Sequence, residues 1–62
     1  MTQTLSREEI LAVLREIRNE INRQETILNL TADEDLIDAV IYNLKSLNCR
    51  YNHYLKMAKT AR

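Results

Sequence analysis

The sequence predicts an all-α chain: an antiparallel two-helix hairpin that dimerises into a four-helix bundle. Three observations carry this. Glycine and proline are both absent, two long stretches repeat apolar residues every three or four positions, and only a few polar residues separate them. Without glycine, tight turns that need positive φ are disfavoured, and β-hairpins with them. The 62 residues form one small domain, 1–62, and a chain of this size buries only about 60% of its unfolded surface. Such a chain is marginal unless something else supports it.

The first helix is expected over about residues 7–29. Ser6 and Glu9 stand at the spacing of a capping box, with Leu5 and Ile10 placed for a hydrophobic staple. Ile10, Leu14, Ile17, Ile21, Gln24 and Leu28 then recur at alternating steps of four and three, and Val13 widens the stripe. Gln24 interrupts this seam between Ile21 and Leu28. It either hydrogen-bonds at the bundle edge or acts as a buried polar group that fixes the register of association.

The turn lies in "LTADEDLID". Thr31 with Glu34 can form a second capping box, or Asp33 can cap with Glu34 and Asp35 in the first turn, where acids favour the helix dipole. The second helix is expected over about residues 34–60. Its seam runs through Ile37, Val40, Leu44, Leu47, Tyr51, Tyr54 and Ala58, with Leu36, Ile41 and Leu55 alongside. Lysines and Arg62 near its end suit the negative pole of the dipole.

Two helices of about 35–40 Å joined by a few residues must fold back on each other. The second is apolar over a wider arc than one neighbour covers, because Leu36, Ile41, Tyr54 and Leu55 flank its seam. A second hairpin answers that surplus most simply, and a helical partner protein is the alternative. The expected core of the assembly is Ile10, Leu14, Ile17, Ile21, Gln24 and Leu28 with Val40, Leu44, Leu47, Tyr51, Tyr54 and Leu55.

Charge is zero overall but divided along the chain. All nine acids fall in residues 1–38 with four arginines, a net of −5. Lys45, Arg50, Lys56, Lys59 and Arg62 give residues 39–62 a net of +5. In a hairpin, Glu8 and Glu9 come near Lys56 and Lys59, so the division can be satisfied internally. It can also mark an anionic partner.

Little chemistry is available. Cys49 is the only cysteine and His53 the only histidine. Two ligands at that spacing do not make a zinc site, so no metal is assigned. A cysteine activated by a histidine would also need an orienting third group and a pocket. There is no Gly-rich phosphate loop and no HExxH motif. The chain reads as a non-enzyme without a cofactor. A lone thiol suits a reducing compartment, the start lacks a secretory pattern, and no apolar run approaches the ~20 residues that span a bilayer. A cytoplasmic protein that does not engage the membrane is expected.

One face remains for function. At ~100° per residue, Tyr42, Lys45, Cys49, His53 and Lys56 fall opposite the seam of the second helix. Tyr42 stands where a bundle alone would place lysine or glutamate. It is read either as packing over its own helix or an oligomer contact, or as an anchor for a protein partner. Lys45, Lys56 and Lys59, with Asn52 between them, allow nucleic acid as the weaker alternative.

The stretch "LNLTADEDLIDAVIYNLKSLNCRYNHYLKMAK" resembles the YaaL-like family of small uncharacterised proteins of Firmicutes. The matching positions are Asn29, Asp33, Asp35, Leu36, Ile37, Asp38, Ile41, Tyr42, Leu44, Arg50, Tyr51, Leu55 and Ala58. Leu28 replaces the usual aromatic, and Glu34 replaces the usual proline, which leaves a less rigid turn. The resemblance implies no activity. It implies capping roles for Asp33 and Asp35 and a genomic setting beside recombination-mediator and sporulation genes.

Overall fold

A computed structural model describes residues 5–60. Helix α1 spans Arg7–Leu30 and helix α2 spans Glu34–Thr60, and they pack side by side as a hairpin. The helices therefore form where the periodicity and caps place them, with α1 one residue longer than expected. Arg62, expected to serve the α2 dipole, lies outside the described residues; Lys59 occupies the last turn.

Side-chain oxygens begin both helices. The Ser6 hydroxyl accepts from the Glu9 amide at 3.1 Å, and the Glu9 carboxylate accepts from the Ser6 amide at 3.0 Å. This reciprocal pair satisfies two donors that the first turn would otherwise leave open. Leu5 packs on the cluster that contains Ile10, as the staple requires.

At the other end, α1 stops because Thr31 turns to extended backbone at φ −109° and ψ 148°. No described residue takes a positive φ, so the chain reverses without the left-handed step that glycine usually supplies. Of the two caps the sequence allows, Asp33 is the one used. Its Oδ1 accepts from the amides of Asp35 at 2.9 Å and Leu36 at 3.3 Å. The Thr31 hydroxyl accepts from the Asp33 amide at 3.1 Å, which holds the capping residue in place.

The core runs between the helices. Ile10 and Leu14 meet Ala58 near the open end, covered by Leu5, Tyr51, Tyr54, Leu55 and Met57. Ile17, Val40 and Leu47 are also buried. Ile10 is 1% and Val40 2% exposed, and each such side chain contributes about 1.5–3 kcal/mol by leaving water. Thus Ile10, Leu14, Ile17, Val40 and Leu47, expected in the core of an assembly, are already buried within one hairpin. Ile21, Gln24, Leu28, Leu44, Tyr51, Tyr54 and Leu55 are half-buried.

Met57 adds to the core a residue that the seam did not include, and one expectation needs correction. Met57 joins the core although it lies ~100° from the seam centre, because an unbranched side chain can bend into a gap. Charge is not compensated across the hairpin by direct pairing. Glu8 and Glu9 make no ion pair with Lys56 or Lys59, and the one ion pair among the described residues, Arg23 with Glu20, lies within α1. The Glu9 carboxylate is instead committed to its cap.

These contacts make the caps measurable. Ser6→Ala and Asp33→Ala should each lower unfolding stability by about 1 kcal/mol, read by urea denaturation followed by circular dichroism. Leu14→Ala should cost about 2–5 kcal/mol, enough to unfold a chain this small.

Candidate interaction face of the second helix

The buried positions Val40, Leu47 and Ala58 define the inner side of α2. The side chains of Tyr42, Lys45, Cys49, His53 and Lys56 are all exposed on the other side. Tyr42 is 80% exposed, although it is the bulkiest residue of that face. Tyr42, Lys45 and Cys49 come together, lining with Ser46 a shallow hollow of about 270 Å³. His53 does not join them. Its ring meets Tyr54 edge-on, with centroids 5.1 Å apart and planes at 80°. Lys56 lies nearly two turns beyond Cys49, so the five residues form a strip rather than a pocket.

That arrangement limits the available chemistry. The Cys49 thiol is free and open to water, and His53 is held against an aromatic ring. Among the described residues, no three histidine, cysteine or carboxylate side chains gather where a metal could sit. What the strip does offer is a large amphipathic ring beside a cation, suited to contact with another macromolecule.

A second polar feature occupies the flank between the helices. Arg23 Nε donates to Glu20 Oε2 at 2.8 Å, and Gln24 Nε2 donates to Glu20 Oε1 at 3.2 Å. Asn43 Nδ2 in turn donates to Gln24 Oε1 at 3.3 Å. This last contact is the one side-chain hydrogen bond joining α1 to α2 among the described residues. Glu20, Gln24 and Asn43 line, with Ser46, Leu47 and Arg50, a groove of about 260 Å³. Gln24 therefore spends its amide inside its own chain, at the edge of the hairpin. Asn43 was not singled out from the sequence. Its signal was its position ~60° from the α2 seam centre, within reach of a polar residue on α1.

Apolar surface is also left over. Leu11, Ile27, Leu36 and Ile41 are exposed, and Leu30 beside the turn is 83% exposed. Leu36 and Ile41 flank the α2 seam, where the sequence showed more apolar arc than one helix covers.

Residues 2–62 match the family described as "Protein of unknown function (DUF2508)". No curated protein and no solved structure matches the sequence. The chain belongs to the DUF2508 family. Among the described residues, no helix is long and apolar enough to cross a membrane.

Two carboxylates carry a pH signature. Hydrogen bonds from the Ser6 amide and hydroxyl hold Glu9 below its ordinary value of 4.5. Those from Gln24 and then Arg23 do the same for Glu20. A depressed folded-state pKa stabilises the fold above the unfolded value, and that contribution is lost as pH falls through the folded one. Helicity should therefore weaken on acidification below about pH 4.5. In Ser6→Ala that acid-dependent loss should shrink, as measured by circular dichroism during acid titration.

Proposed function

We propose that this DUF2508 member is a non-catalytic interaction module, a helical hairpin that self-associates and presents the outer face of α2 to a protein partner in the cytoplasm. The observation that carries this reading is Tyr42, 80% exposed in the first half of α2 above the hollow shared with Lys45 and Cys49. A ring of that size loses little conformational freedom on burial and contributes strongly at interfaces. The exposed Leu36 and Ile41 add apolar area on the same helix. Within the family we read the chain as YaaL-like, on the α2 residues quoted above.

The non-catalytic part rests on how the reactive groups stand. Cys49 and His53 lie on one open helix, and His53 leans on Tyr54. No enclosing wall or orienting group accompanies them, and neither a cofactor nor a metal enters the reading.

A nucleic-acid accessory role is the second reading. It is favoured by Lys45, Arg50, Lys56 and Lys59, which stand in residues 39–60 with no acid among them. The acids Asp35 and Asp38 on the same outer face oppose it.

Light scattering at micromolar concentration should give a mass clearly above the 7.3 kDa of one chain. A clean monomer would remove self-association. Tyr42→Ala should retain its helical circular dichroism, because the ring lies outside the core, while weakening association about tenfold or more. Binding of a DNA or RNA probe that fades with salt and disappears in Lys45→Glu with Lys56→Glu would favour the second reading.

A further inference from the structure

The occupant of the α2 face is still unspecified, and charge supplies an answer. Asp35, Asp38, Tyr42, Lys45, Cys49, Asn52, Lys56 and Lys59 follow one another at steps of three and four. That spacing lays them in one strip along the outer side of the helix. All are exposed. The strip is acidic at the turn end, basic at the open end, and carries Tyr42, Lys45 and Cys49 between.

Helix-end electrostatics accounts for only part of this order. The dipole acts within the first and last turns, where Glu34, Asp35 and Lys59 stand. Asp38 and Lys56 lie between those turns, in the interior of the helix. Neither belongs to the one ion pair among the described residues.

We propose that the occupant is a second copy of this chain, with α2 lying antiparallel against α2 about a two-fold axis beside Leu47. The proposal rests on the reading that the outer face of α2 is an interaction surface. Its basis is a coincidence of register. The midpoint between Asp35 and Lys59 is Leu47, and so is the midpoint between Asp38 and Lys56. One antiparallel alignment therefore sets both acids of each copy opposite lysines of the other. The same alignment puts Lys45 opposite Cys49 of the second copy and Tyr42 opposite Asn52. The two Tyr42 rings then flank the Lys45–Cys49 pairs at the middle of the seam.

A parallel alignment would instead stack acid on acid and lysine on lysine. Opposed charges of this kind select orientation and partner more than they add affinity, so the dimer is weak and loosens with salt. The four helices stand in a row, the two copies of α2 inside and each α1 outside. This keeps every hairpin core intact.

Cross-linking and charge exchange test the arrangement. Lys45→Cys combined with Cys49→Ser gives a chain with one thiol at position 45. Mixed with the native chain under mild oxidation, it should yield the mixed disulfide dimer in excess of either homodimer. Asp38→Lys alone should weaken self-association on the order of tenfold, and adding Lys56→Asp should restore it, with helicity unchanged in both.

A dimer by light scattering that gives no mixed cross-link and ignores Asp38→Lys would overturn this alignment while leaving self-association standing. A monomer at all concentrations would remove both. A monomer that binds a nucleic-acid probe, and loses it in Lys45→Glu with Lys56→Glu, would give the face to nucleic acid instead.

Discussion

With no glycine available for a left-handed step, the reversal at Thr31–Asp33 has to be made from extended backbone and side-chain oxygens. Thr31 leaves the helix, its hydroxyl holds the Asp33 amide, and the Asp33 carboxylate collects the first free amides of α2. The geometry of those three residues decides the register of everything beyond them. Shifting α2 by one residue would rotate it by ~100°. Val40 and Leu47 would leave the interface, and Asn43 would lose Gln24. Short as it is, the turn is the alignment device of the hairpin.

Much of this was legible from residue spacing. The Ser6–Glu9 box and the alternating apolar steps located both helices to within a residue, because capping and amphipathic periodicity are local properties. The choice between Thr31 and Asp33 as cap was not local in that sense. Both have suitable oxygens, and the choice depends on where α1 finally releases its backbone. Gln24 was visible as an interruption of the seam, whereas its partner Asn43 is nineteen residues away and carries no periodic mark. Met57 escaped because flexibility, rather than position on the wheel, brings it inward. The strip on the outer face of α2 was visible too, but its division into a hollow at Tyr42, Lys45 and Cys49 and a stacked His53 required side-chain geometry.

The charges show how a neutral chain can still be strongly patterned. Acids near the start of α2 are accounted for by its free amides, yet the polarity continues past the reach of the helix ends. Since α1 and α2 do not neutralise each other by direct pairing, that polarity faces outward. An outward face with opposite ends of opposite sign is complementary to its own reverse. Neutrality therefore does not prevent specific association; it permits association that accumulates no net charge.

The most completely buried side chain among the described residues, Ile10, lies at the end of the hairpin farthest from the turn. Ile10, Leu14 and Ala58 close the open end, although Ile10 and Ala58 are separated by almost the whole chain. Contacts beside the turn close small loops and can form early, whereas these close the largest loop and cost the most chain entropy. Once made, they act as a latch: the helices cannot peel apart from their free ends without exposing Ile10 and Leu14 first. Two helices joined at one end alone would fray like a split cord. This pair is fastened at both ends, which favours all-or-none opening and keeps the outer surface of α2 on a stiff support.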